Sequence, residues 1–306
     1  MSRRPNRTPY WLHTALVFML VLLIIVVLLP ADGENKAPEA STPVKLFNEQ
    51  ARQQSYVVYE EFQKAPKRPS IKALATPHTN HAGTGIALIM DDVGYDLDAL
   101  KRVLALPFRV AISILPDAPH AAEAARMAHE AGSTVMLHLP MEPSNPKYRA
   151  RMNGSFLKTG MDETQIYDHF IRALEQVPHV TGVNNHMGSL LTTLEEPMRW
   201  VMEICKKRAL FFIDSKTAHN SVAANIAAEY GVAWASRRVF LDHTVEDEDL
   251  RLAWKSALKC AKRKGSCIVI AHPHAETLNF LEQQVLEGEH VFIRPIISLL
   301  HSGGAS

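Results

Sequence analysis

Hydrophobic and polar positions divide the chain into three textures. Every residue from Ala15 to Leu29 is apolar. Counted back to Trp11 the run is about 19 residues, or roughly 28 Å as a helix, close to the thickness of a bilayer core. Arg3, Arg4 and Arg7 precede it, and Asp32 and Glu34 follow it. The pattern predicts a single-pass anchor over 11–30, residues 1–10 in the cytoplasm and the remainder on the far side of the membrane. Tyr10 and Trp11 sit where interfacial aromatics of such a helix belong. A cleaved signal sequence, which would leave the protein secreted, is the competing reading, although Ala31-Asp32-Gly33 is a poor cleavage site. Residues 31–83 hold no sustained period and contain "KAPEASTP", "KAPKRPS" and "ATPHTNHAGTG". They read as a linker with one short helix around Pro43 to Lys64.

From Gly85 apolar runs alternate with amphipathic segments. Candidate strands are "GIALIM", "RVAISIL", "TVMLHL", "VTGVNN", "ALFFID", "GVAWAS", "CIVIAH" and "VFIRPIISL". Between them, "DLDALKRVLAL", "APHAAEAARMAHEAG", "DETQIYDHFIRALEQV", "PMRWVMEICKKR", "NSVAANIAAEYG" and "DEDLRLAWKSALKCAKRKG" carry helical spacing. Strands that are apolar throughout predict a parallel sheet covered on both faces. The order of elements over residues 84–306 defines an α/β domain, either a barrel or an open doubly wound sheet. A nucleotide-binding open sheet usually shows a glycine-rich turn after its first strand. Here that strand runs into Asp91 and Asp92 instead. A barrel places its chemistry at the carboxyl ends of many strands, so those ends are where function should appear.

They are polar in a way packing does not require. Besides Asp91 and Asp92, the ends offer His138 with Glu142 just beyond, then Asn184, Asn185 and His186. Asp214 follows, then Arg238 and Asp242, and finally His272 and His274. A lone strand-end histidine is usually structural, and Asp214, followed by Ser and Thr, suits a cap. Six strands delivering such groups to one face imply a site, because buried charge needs a partner or a metal. Imidazole and carboxylate ligands with open positions suit a divalent cation such as zinc, with a second carboxylate as general base and a separate histidine as general acid. Two adjacent aspartates then divide the work, one binding metal and one taking the proton.

Composition narrows the alternatives. The 306 residues carry 33 basic and 32 acidic side chains, a net charge of +1, which gives no sign of a nucleic-acid partner. Three cysteines make no disulfide framework, and pairing of Cys260 with Cys267 stays open. The stretch "SNPKYRARMNGSFLKTGM" carries Lys147, Arg149, Arg151 and Lys158. It reads either as a solvated basic loop or as a cover that attracts an anionic polymer.

In combination and in order, "IMDDVG", "MLHLPME", "GVNNHMGS", "FFIDSKT", "RRVFLD" and "IVIAHPHAETL" resemble the divergent branch of the polysaccharide deacetylase superfamily. The resemblance covers about residues 84 to 303. It implies a distorted (β/α)7 barrel, one divalent metal, and removal of acetyl groups from an envelope polysaccharide or peptidoglycan. On it, Asp91 matches the general base and His272 the general acid. Asp92, His138 and His186 would be the metal ligands. Asn185, Asp214, Arg238, Asp242 and His274 would lie behind the ligands or against substrate. The sequence departs from the superfamily in one respect. The usual second metal histidine is missing, since His138 is followed by Leu139, Pro140, Met141 and Glu142; His186 would replace it from another strand. This leaves three functional readings: a membrane-anchored deacetylase facing the periplasm, a non-catalytic glycan-binding or scaffold domain that kept the barrel, and a metal hydrolase of some other bond.

Overall fold

The seven strands that form are short apolar runs with helices between them, and such strands are stable only where both faces are covered. The structure is a computed structural model and describes residues 85–288 and 292–302. The anchor, the linker and its short helix lie outside the described residues. Strands β1 (Gly85–Val93), β2 (Ala111–Ile114), β3 (Val135–Met141), β4 (Gly182–Met187), β5 (Phe211–Asp214), β6 (Trp234–Phe240) and β7 (Ser266–Ala271) pair in parallel. They close in chain order, with β7 back on β1. Helices α1 (Leu97–Leu104), α2 (Ala121–Glu130), α3 (Pro146–Arg149), α4 (Glu163–Gln176), α5 (Glu195–Lys207), α6 (Ala223–Tyr230), α7 (Asp247–Lys264) and α8 (Ala275–Leu286) accompany them. No helix among the described residues is long and apolar enough to cross a membrane.

Alternation along each strand sorts side chains into two cores. Ile86, Leu88 and Met90 of β1, with Leu137, Leu139, Phe212 and Val269, pack outward under the helices. Ala87, Ile89, Met136, Phe211, Ile213, Ala235, Ile268 and Ile270 pack together inside the barrel. A Cβ on Gly182 would stand 2.1 Å from the Phe211 ring, so glycine on β4 is what lets that ring fill the interior.

Three expectations change. The last candidate strand, 291–299, is instead a 3-10 turn at Ile296–Leu299 preceded by a single bridge from Ile293 to Ile86. Pro295 removes the donor a further strand would need. Ile296 and Leu299 join the inner core instead. The segment Ala275–Leu286, not read as a helix, forms α8 and buries Leu278, Phe280 and Leu281. The sixth strand begins later than "GVAWAS" and runs on through Phe240, because Gly231, in the left-handed region at φ 72°, ends α6 there. Cys260 and Cys267 are both free thiols.

Candidate metal centre

Inward-facing positions at the strand ends build the site. On β1 the parity that turns Ala87 and Ile89 inward also turns Asp91 inward, and Asp92 should point away. It does not, because Asp92 adopts φ 55° and the pairing with β2 slips between Met90 and Val93. That bulge brings both carboxylates to the barrel mouth, at a cost of roughly 1 kcal/mol for a left-handed non-glycine residue. The aspartates therefore converge: His138 Nε2 lies 3.2 Å from Asp92 Oδ1 and 3.6 Å from Asp91 Oδ2.

Asp92 Oδ1, His138 Nε2 and His186 Nδ1 form a tight triangle. His186 Nδ1 is 3.0 Å from the carboxylate and 3.1 Å from the other ring nitrogen. Neither oxygen of Asp92 has a hydrogen-bond donor, although the residue is buried. Burial opposes ionisation of Asp92, but His186, His138 and His272 around it hold its carboxyl well below the usual range. Burial also opposes charge on His138, and Asp91 and Asp92 outweigh it, raising its pKa.

Asn184 orients this group. Its side-chain oxygen accepts from Ser113 Oγ at 2.6 Å and lies 3.0 Å from His138 Nδ1. A proton on Nδ1 satisfies that contact and leaves the Nε2 lone pair facing the triangle. The Asn184 amide donates to Asp91 Oδ1 and Oδ2 at 2.9 and 3.1 Å. Sequence reading placed Asn184 at a strand end and gave it no role. The signal available was register, since it stands opposite His138 and two residues before His186. Asn185 also lines the cleft and staples loops: its amide donates to Met187 O, and its oxygen accepts from Ser215 N.

On the opposite wall, Asp242 Oδ1 is 3.0 Å from His272 Nδ1, and Asp242 Oδ2 accepts from His272 N and Thr277 Oγ1. Burial works against a charged His272, but Asp242, with Asp92 and Asp91, lifts its pKa to about 9. His272 Nε2 lies 3.9 Å from Asp92 Oδ2. His274 is half-buried beside it, the rings 5.8 Å apart, and lines an adjoining cleft with Tyr95.

Two expected residues lie elsewhere. Asp214 has outward parity on β5; it accepts from Lys216 N and Ser221 Oγ and shapes the following loop. Arg238 is exposed, because β6 extends through it and the alternation that turns Ala235 inward turns Arg238 out to solvent. Arg237, which the sequence reading passed over, is buried and lines the cleft together with Ser215, Thr217 and Phe240. Glu142 is occupied in tying the basic loop back, accepting from Thr159 N and Oγ1 at 2.6 and 2.7 Å. That fold-back sets Phe156 edge-on to His186, 6.0 Å away.

Seven parallel strands closed in order, with carboxylates and imidazoles gathered at their carboxyl ends, define an α/β barrel of the polysaccharide deacetylase type. Residues 88–297 match the divergent polysaccharide deacetylases, and the chain belongs to that family. It is 37% identical over 200 residues to the uncharacterized protein YibQ of Escherichia coli K12, a match spanning 65% of this chain and 62% of that protein. It is 34% identical over 201 residues to an uncharacterized protein of Haemophilus influenzae, covering 66% of this chain and 71% of that one. The chain thus spans less than two thirds of its Escherichia coli relative. The crystal structure of an uncharacterized Agrobacterium tumefaciens C58 protein shares the fold at a TM-score of 0.65 and 19% identity, covering 77% of this chain and 92% of that one.

Proposed function

We propose that the chain is a metal-dependent hydrolase that removes acetyl groups from a cell-envelope glycan, polysaccharide or peptidoglycan. The segment 11–30 would hold the barrel on the periplasmic side of the inner membrane. The observation that supports this most is Asp92, a buried carboxylate without a hydrogen-bond donor, facing two imidazole nitrogens at 3.0 and 3.2 Å. Three N/O ligands on one side of an open cleft are the donor set of a catalytic zinc rather than a structural one. Asp92, His138 and His186 would hold the ion, and Asn184 fixes the tautomer of His138.

Such a cation, when bound, supplies Lewis acidity, polarising an acyl carbonyl and making water acidic enough to attack near neutral pH. The remaining work belongs to side chains. Asp91, aimed by the Asn184 amide, accepts the proton of the attacking water. His272, charged and held by Asp242, donates a proton to the departing amine or alcohol from the other wall. Phe240 borders the cleft and Phe156 stands edge-on to His186, apolar rings that limit solvent around these transfers.

The acid role carries a sign. Held by Asp242, His272 keeps a raised pKa and donates its proton while charged, and the rate falls once pH climbs past that pKa. Asp242→Asn removes the largest raising partner, so the alkaline limb of the pH–kcat profile is expected to move to lower pH. An unmoved limb would take the acid role from His272.

The direct test uses full-length protein extracted from the membrane fraction. About one zinc per chain is expected, with acetate released from N-acetylated glycan, stopped by a chelator and restored by zinc. Protein that takes up no metal even from added zinc would favour the glycan-binding reading instead.

A further inference from the structure

Among the described residues a second group offers three metal-ligand atoms, from Asp242, His272 and His274, all within 4.8 Å of one another. The reaction outlined above uses the first two as an acid and its partner and gives His274 no part. The placement comes from the His-Pro-His segment that follows β7. His274 has extended backbone, and side chains two residues apart on extended chain share a side. The two rings accordingly lie 28° from parallel, their centroids 5.8 Å apart. His274 N donates to His272 O at 2.8 Å, and α8 begins at the next residue, so the turn is fixed at both ends. Asp242 is fixed as well. Its Oδ2 accepts from His272 N and Thr277 Oγ1, which leaves Oδ1 against His272 Nδ1 at 3.0 Å. One carboxylate oxygen and one imidazole nitrogen are thus held in place, with a half-buried imidazole beside them. Both histidines line the adjoining cleft, from which water can fill the remaining positions around an ion.

Neighbouring ligands of a tetrahedral zinc stand roughly 3.4 Å apart. The Asp242–His272 edge, at 3.0 Å, resembles the edges of the Asp92 triangle at 3.0, 3.1 and 3.2 Å. The two sets differ in what an ion must displace. Asp92 accepts no hydrogen bond, whereas Asp242 already holds the Nδ1 proton of His272. The His272 ring also stands between the two sets, its Nε2 toward Asp92, so two bound cations would repel across it. The Asp92 triangle therefore fills first. Resting on the proposed hydrolase reading, we propose that Asp242, His272 and His274 form a second zinc site, filled only at excess metal, whose occupation switches the acid off. The switch turns on one proton. Zinc takes the Nδ1 lone pair once the Nδ1 proton has left to solvent. The ring then carries a single proton, on Nε2, and giving that up would leave an imidazolate. An imidazolium that donates readily is replaced by a metal-bound imidazole that does not. Magnesium prefers oxygen ligands and keeps its waters, so it does not substitute for zinc here.

The test is a zinc titration of full-length protein stripped with a chelator, followed by calorimetry and by acetate release from N-acetylated glycan. It is run on unmodified protein and on His274→Ala, a position that caps α8 through its backbone and not through its side chain. Unmodified protein is expected to take up zinc in two steps, the second weaker. Acetate release rises over the first step and falls by about 10²- to 10⁴-fold over the second, the span of a lost general acid. Magnesium added in place of the excess zinc causes no such fall. In His274→Ala the first step persists, the second is lost, and excess zinc no longer lowers acetate release. A single step in unmodified protein overturns the inference. So does a second step that survives in His274→Ala, which puts that ion elsewhere, or one that leaves acetate release undiminished. Loss of both steps in His274→Ala overturns it too, since His274 would then belong to the first site. A His274-dependent second step without acetate release at any loading would sink the hydrolase reading and leave the second site standing.

Discussion

Asp91→Asn will lower kcat by about 10²- to 10⁴-fold, the span of a lost general base, while the zinc content stays that of the unmodified protein. The substitution keeps the shape of a side chain that is only 2% exposed. It also keeps a partner for Asn184, because the new amide can turn its oxygen toward the Asn184 Nδ2 that now donates at 2.9 and 3.1 Å. What disappears is the capacity to take a proton. Asp92, His138 and His186 are untouched, so their donor triangle persists. Acetate release and zinc content measured side by side separate the outcomes. Full activity would take the base role from Asp91, and loss of zinc would make it a ligand.

Asn184→Leu is expected to weaken zinc affinity by about 10- to 100-fold, the usual effect of removing the partner behind a metal histidine. Turnover should fall with it. One amide satisfies Ser113, His138 and Asp91 together, and leucine of similar size satisfies none of them. The His138 ring loses what fixes its tautomer, and Asp91 loses what aims it. Asn184→Asp sharpens the comparison. It retains an acceptor for Ser113 and His138 but sets a like charge against Asp91, so metal should bind while catalysis stays impaired. Zinc titration of both variants checks this; undiminished affinity in Asn184→Leu would mean that the His138 ring is positioned by packing.

The α/β class and the barrel mouth were readable in the sequence because buried parallel strands are apolar throughout and end abruptly in polar groups. "IALIMDD" and "CIVIAH" show this directly. Side-chain direction was harder to read. Asp214 and Arg238 end or extend apolar runs as convincingly as Asp91 does, but alternation turns them outward, and only the phase set by residues such as Ile213 and Ala235 reveals it. The bulges were hidden altogether, since a left-handed Asp92 and a slipped β6 follow from tertiary pairing and leave no mark in the local pattern. Asn184 was overlooked for a related reason. Its importance lies in standing opposite His138 across two strands, a relation of register that no single segment displays.

The inner core beneath the site has an electrical consequence. Ile89, Met136, Ile213 and Ile270 lie under the charged groups, and Ile296 and Leu299 close the layer further down. Hydrocarbon polarises weakly, so field from the carboxylates, from Arg237 and from any bound cation finds little response below and is directed toward solvent through the mouth. A charged polymer drifting past would sense the centre from that side alone, and dissolved salt would shorten the reach of this attraction without altering the forces between groups already shielded inside.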